Sequence, residues 1–175
     1  MMQTQIRGAA QRDQRVEALL EETTEALAGG ELPGAVFNDP GIFELECQKI
    51  FTRAWMYLGH ESEIPQPGDY VLRYIVRDPF VVVRDEQGRV RALLNHCRHK
   101  GMQVCRSEVG NASHFRCPYH GWTYRNDGAL VGIPAQKDAY GEAFDKSRLG
   151  LHQLRVESYD GLIFGTMAEE GPSLG

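Results

Sequence analysis

The chain reads as mostly β, a small antiparallel barrel or sandwich carrying N-terminal helices. Three observations predict this. Beyond Trp55 the apolar residues come in short runs, those runs are separated by turn sequences of Asp, Asn and Gly, and before Trp55 the periodicity is helical. At 175 residues, 42% hydrophobic and 25% charged, the composition is that of one ordinary globular domain with an appendage, and it excludes disorder of the whole chain.

Within residues 11–28, Val16, Leu19, Leu20, Thr23 and Leu27 fall near one face of a helix. Arg12, Asp13, Glu17, Glu21, Glu22 and Glu25 lie largely elsewhere, and Gly29-Gly30 ends the pattern. A lone helix of that length is marginal in water, so its stripe is expected to dock on the domain, a missing neighbour or a partner subunit. Asp39 is placed to cap a second helix, with Pro40 at its first position. Phe43, Cys47, Ile50, Phe51 and Ala54 then recur at helical steps and read as core packing. Strands are predicted at 55–58, 70–76, 80–84, 90–94, 113–116, 122–125, 130–131, 154–158 and 162–166. Residues 85–88, 126–128 and 159–161 are the hairpin turns, each with a glycine where φ must be positive, and 64–68, with two prolines, is a rigid connector.

A net charge of −5 without any basic block argues against a nucleic-acid partner. No apolar run approaches the roughly 20 residues that cross a bilayer, and the N-terminus lacks the charged, apolar and small-residue order of a signal peptide. A soluble, cytoplasmic chain is expected. Of the four cysteines, Cys47 in a helical pattern and Cys105, which trails the stretch beginning at Cys97, are expected to be buried free thiols.

The chemistry lies in the other two. Cys97-Arg98-His99 is followed, after 17 intervening residues, by Cys117-Pro118-Tyr119-His120-Gly121-Trp122. The two arms leave the strands ending at Leu94 and Arg116 and offer two thiolates and two imidazoles, the ligand set of a Rieske [2Fe-2S] centre, where two cysteines hold one iron and two histidines the other. Two ferric ions, two sulfides, two thiolates and two neutral imidazoles sum to zero charge. An electron is therefore added to a neutral cluster instead of a dianionic one, and the potential rises. Gly101 and Gly121, behind the histidines, allow tight turns and bring backbone amides toward the cluster sulfurs. A structural Cys2His2 zinc site is the alternative, although zinc arms usually pair cysteine with cysteine and histidine with histidine.

The stretch L-N-H-C-R-H-K-G-M-Q-V-C-R from Leu94, with F-R-C-P-Y-H-G-W-T-Y ending at Tyr124, resembles the Rieske domain of the alpha subunit of aromatic-ring-hydroxylating dioxygenases. The segments beginning at Ala54 and at Tyr159 extend the resemblance. It implies an N-terminal helical extension over 1–37, a Rieske domain over 38–168 and, at 169–175, a tail where a catalytic domain would begin. That family's catalytic domain holds a mononuclear non-haem Fe(II) between two histidines and a carboxylate. Only His152 follows the second arm here, so this stretch is not expected to build that iron site or to hydroxylate anything. The family's mechanism implies electrons arriving from a ferredoxin or a reductase and leaving to the catalytic domain of a neighbouring alpha subunit, with beta subunits as further partners. His120 matches the histidine of the outgoing contact and is expected to be partly exposed. Arg98, Lys100 and Arg106 are candidates for attracting an acidic donor or are ordinary solvated surface, and Trp122 and Tyr119 are expected to shield the cluster. The respiratory Rieske proteins match less well, because they carry two further cysteines in the cluster loops that pair as a disulfide, and Tyr119 stands where the second-loop one would be. Without that disulfide a potential toward the low end of the Rieske range is expected. The alternative function is a free-standing Rieske ferredoxin, against which the helical N-terminal region argues.

Overall fold

The structure is a computed structural model in which residues 2–175 are described, with side chains from residue 14 onward. The polar positions Arg12 and Asp13 fall outside the described side chains. Internal contacts divide the chain into two units, Met1–Phe51 and Thr52–Gly175. The second predicted helix therefore belongs with the first, beyond the boundary at residue 37 drawn from sequence.

In the first unit, α1 spans Met2–Ala28 and begins earlier than the periodicity indicated. Val16, Leu19 and Thr23 are buried, whereas Leu20 and Leu27 are exposed, so the packed stripe is narrower than expected. The Thr23 hydroxyl donates to the Leu19 carbonyl at 2.7 Å, which satisfies it inside that stripe. Helix α2, Pro40–Glu46, is capped by Asp39 as predicted. The Asp39 carboxylate accepts from the amides of Gly41 at 2.7 Å and Ile42 at 3.3 Å and pairs with Arg15 at 2.5 Å. Ile42 then completes a small core with Val16 and Leu19. After Glu46 the helix widens into a π turn, Cys47–Phe51. Phe43, ahead of that turn, and Ile50, within it, are exposed and Cys47 is only half-buried, contrary to the expected core stripe and buried thiol; the wider turn takes the residues after Glu46 off the three-and-four step.

The second unit is built of antiparallel strands, as the sequence predicted. They are β1 Met56–His60, β2 Asp69–Ile75, β3 Asp78–Arg84, β4 Val90–Leu94, β5 Val109–Asn111, β6 His114–Arg116, β7 Thr123–Arg125, β8 Leu130–Gly132, β9 Arg155–Tyr159 and β10 Leu162–Thr166. They form three sheets ordered β1-β10-β9, β4-β3-β2-β5 and β6-β7-β8. Strand β5 has no counterpart in the sequence reading, because its exposed Val-Gly-Asn carries no alternation and is held only by pairing with β2. The short helix α3, Gln136–Tyr140, was likewise not foreseen.

Strand β3 is central in its sheet, and Phe80, Val81, Val82 and Val83 are buried on both faces. The free edge of β4 is covered by the segment entering β9. Leu94 donates to the His152 carbonyl at 2.8 Å and Leu154 to the Ala92 carbonyl at 2.9 Å. Two tight turns hold the frame. At the β3–β4 turn the fully buried Asp85 carboxylate accepts from the Gln87 and Arg89 amides, both at 2.9 Å, and from the guanidinium groups of Arg89 at 3.1 Å and Arg91 at 3.0 Å. Burial acts to raise its pKa, but these donors outweigh burial and hold the carboxyl below the usual range. At the β2–β3 turn Val76 adopts φ +55°, the left-handed conformation that a β-branched residue resists.

Asp85 is depressed in the folded state, so its contribution is present at neutral pH and disappears as pH falls below about 4. Asp85→Asn is expected to lower the unfolding free energy by about 2 kcal/mol at neutral pH, with a smaller difference from the parent in acid. Urea unfolding at both pH values measures this. Val76→Gly relieves the turn and is expected to raise stability by about 1 kcal/mol, read as an upward shift of the urea midpoint.

Candidate metal centre

The two arms are built on one backbone plan. In each, the cysteine amide donates to the carbonyl five residues on, Cys97 to Met102 at 2.8 Å and Cys117 to Trp122 at 2.8 Å. In each, the glycine four residues after the cysteine returns its amide to the cysteine carbonyl, Gly101 to Cys97 at 2.8 Å and Gly121 to Cys117 at 3.0 Å. Both glycines have φ +74°. At Gly121 a side chain would also meet the Pro134 ring at 2.9 Å.

This plan turns the cysteines in and the histidines out. Cys97 and Cys117, 3% and 2% exposed, belong to the main core with Val81, Val83, Leu93, Trp122 and Tyr124. Cys117 lies near enough to Cys97 to raise its ionisation. Above them the δ-nitrogens of His99 and His120 face each other at 3.1 Å. The buried Trp122 stacks flat on His99, with centroids 5.0 Å apart and planes 9° apart, so it packs the site as expected. Tyr119 does not shield the interior. It is 61% exposed and stacks from outside on His120, centroids 3.8 Å apart, because it sits on the outward side of its loop. His120 is exposed, as the sequence reading required. The ε-nitrogen of His99 faces the Tyr140 hydroxyl of α3 at 3.4 Å.

Burial, then the neighbouring His120 and Lys100, hold His99 below the usual imidazole range, so its ring is neutral at pH 7 with a lone pair to give. Burial also pushes the Cys97 thiol up, and the adjacent Cys117 adds to it. Such a pair of buried sulfurs calls for a metal cation to become thiolates. The four donors therefore come as a sulfur pair and a nitrogen pair. Among the described residues, no group of three or more His, Cys, Asp or Glu side chains converges to hold one ion. A sulfur pair and a nitrogen pair are the two ligand sets that a Rieske cluster requires.

Tyr124 was passed over in the sequence as a plain strand residue. It is fully buried, its oxygen accepts from the Arg98 amide at 3.0 Å, and its hydroxyl donates to Cys97 Sγ at 3.2 Å. Burial first, then Cys97, pushes its ionisation far up, so it stays a donor. The available signal was parity: two residues after the inward Trp122, it points the same way. Of the expected cations, Arg98 contacts exposed His152, while Lys100 and Arg106 are exposed and without an ion pair among the described residues. Arg116, not singled out in the sequence, lies exposed against Gly121.

The family profile of the Rieske [2Fe-2S] domain matches residues 54–159. This chain belongs to the Rieske [2Fe-2S] family. It is 48% identical over 160 residues to the N,N-dimethyl phenylurea N-demethylase subunit alpha of Sphingobium sp. (strain YBL2), covering 91% of this chain and 35% of that protein. It is 40% identical over 162 residues to the biphenyl 2,3-dioxygenase subunit alpha of Rhodococcus jostii (strain RHA1), covering 93% and 34%. Among solved structures, naphthalene 1,2-dioxygenase from Rhodococcus sp. bound to indole superposes with a TM-score of 0.84 at 52% identity, over 90% of this chain and 36% of that one. The chain thus spans about a third of the length of the curated relatives it matches. The likeness to alpha subunits of ring-hydroxylating dioxygenases read from residues 94–124 extends over about nine-tenths of the chain, and the cofactor of this Rieske domain is a [2Fe-2S] cluster. No helix among the described residues is long and apolar enough to cross a membrane.

A hydrogen bond to a ligand sulfur stabilises the more negative, reduced cluster. Tyr124→Phe is expected to lower the midpoint potential by about 40 mV, the equivalent of about 1 kcal/mol for one electron, as measured by redox titration.

Proposed function

We propose that Cys97 and Cys117 hold one iron of the cluster and His99 and His120 the other, and that this domain relays single electrons within an oxygenase. The observation that carries this reading is the pairing of two buried sulfurs beneath two facing δ-nitrogens. When bound, the cluster supplies a one-electron carrier of raised potential. The residues around it divide the remaining work. Trp122 and the core exclude water from the sulfurs, Tyr124 donates to one of them, and Trp122 and Tyr140 fix the His99 ring. His120 turns an edge to solvent, beside an open hollow of about 560 Å³ lined by Arg116, Pro118, Tyr119, Gly121 and Pro134. A partner seated there is one imidazole away from the metal, so we assign the outgoing electron to His120 and its acceptor to the catalytic domain of a neighbouring alpha subunit with its mononuclear iron. Lys100, Arg106 and Arg116, cations on a chain of net charge −5, suit an acidic ferredoxin or reductase as donor, and beta subunits complete the assembly.

The whole protein is then a cytoplasmic, oxygen-dependent oxidoreductase acting on aromatic compounds, with cis-dihydroxylation of a ring as its reaction. Oxidative N-demethylation of an aromatic amide is a second reading, favoured by 48% identity to a demethylase subunit against 40% to a biphenyl dioxygenase subunit. That the similar proteins are alpha subunits disfavours a free-standing ferredoxin.

Anaerobic purification, iron and sulfide assay and electron paramagnetic resonance after dithionite reduction test the reading. About two irons and two sulfides per chain and a rhombic signal of low average g are expected. Cys117→Ser and His120→Ala are expected to abolish that signal, and Lys100→Ala to leave it intact. A colourless, zinc-bearing protein overturns the assignment.

A further inference from the structure

The two arms share a backbone plan but not a foundation. The second stands on a β-hairpin: β6 and β7 pair at Arg116↔Thr123, Phe115↔Tyr124 and His114↔Arg125, so a ladder closes the loop directly beneath Cys117. The first leaves β4 at Leu94 and has no returning strand. Residues 103–108 are irregular, and β5 starts only at Val109, paired with β2. Something other than a ladder must close this loop beneath Cys97.

Asn95 does so with its side chain. Its Oδ1 accepts from the Val104 amide at 3.0 Å and the Cys105 amide at 2.8 Å, and its Nδ2 donates to the Cys105 carbonyl at 2.7 Å. Its own amide donates to the Pro79 carbonyl at 2.8 Å, which anchors it to the entrance of β3. The residue is fully buried. A side-chain amide carries the donor and acceptor of a peptide group, so Asn95 presents to 104–105 what a strand partner would present. In a buried site such a bond set is costly to break, because each freed backbone group is left without a partner.

We propose that Asn95 is the positioning residue of the first arm: it substitutes for the missing strand, fixes the mouth of loop 95–105, and so sets where Cys97 Sγ stands relative to Cys117. This rests on the ligand assignment above. Asn95 touches no ligand atom and acts through the loop it closes. The consequence is an asymmetric clamp, with the base of one arm closed by a ladder and the base of the other by a single side chain, so cluster loss begins at the first arm.

The test compares the full chain, loaded with cluster, with Asn95→Ala and with Asn126→Ala. Asn126 is an equally buried amide at the end of the β6–β7 hairpin remote from Cys117, where its side chain ties the Ala112 carbonyl and Glu86 and lies outside the loop of either arm, so it controls for loss of buried side-chain hydrogen bonds in general. Three quantities are read: iron release to a chelator, the g-values of the reduced cluster, and urea unfolding of the cluster-free chain. Asn95→Ala is expected to release iron about tenfold faster and to shift the g-values, while Asn126→Ala lowers the unfolding midpoint with g-values and release rate unchanged. If Asn95→Ala does not fold, Asn95→Ser keeps a polar group in place but is too short to span the loop, and the same release and g-value changes are expected of it. Parental release and g-values in whichever Asn95 variant folds overturn the proposal, as does an equal effect of Asn126→Ala. A parent chain without the Rieske signal overturns the ligand assignment instead, so the two failures are distinguishable.

Discussion

Each cysteine amide is tied to the carbonyl five residues further on, and the rest of the site depends on that bond. It closes the loop tightly enough that the sulfur must point back into the sheets and the imidazole must stand outside. The closure demands a left-handed residue four positions after the cysteine, which glycine supplies at Gly101 and Gly121. Histidine occupies the third position of one loop and the fourth of the other, yet both δ-nitrogens arrive at the same place, because the backbone frame, and not the spacing of ligands, is what the arms share.

Core and cofactor site are consequently one structure. The sulfurs lie in the same cluster as Val81, Val83, Leu93, Phe115, Trp122 and Tyr124, so the hydrophobic burial that stabilises the second unit also keeps water from both thiols. Dryness raises the weight of every dipole aimed at the sulfurs, which is why a lone hydroxyl from Tyr124 counts. The histidine side of the site is the reverse, exposed and flanked by aromatic rings. A carrier needs both conditions, a sealed side that sets the potential and an open side through which the electron leaves.

The two arms also differ in how firmly they are held. A ladder distributes the closure of the second loop over three residue pairs, whereas the first concentrates it in the Asn95 amide. Concentration suits a loop that must leave one sheet and travel to the edge of another, since β5 lies beside β2 and cannot return to β4. The helical unit has a modest core of its own, Val16, Leu19 and Ile42, and leaves Leu27, Phe37 and Ile50 exposed.

What the sequence determined by itself was whatever local chemistry dictates. Turn glycines, period-two runs, the Asp39 cap and the cysteine–histidine arms are decided by a residue and its near neighbours, and they sufficed for most of the strands, the hairpins and the candidate donor set. The tertiary structure alone decided the rest. Strand β5 exists only because β2 offers it an edge, and the π turn at Cys47 undid a stripe that looked like core by overriding the helical step on which the pattern depends. The pairing of sulfur with sulfur and nitrogen with nitrogen depends on how two distant loops meet. Asn95 and Tyr124 gained their roles from partners 10 and 27 positions away. Such bonds form only after the chain has folded, and no local pattern announces them.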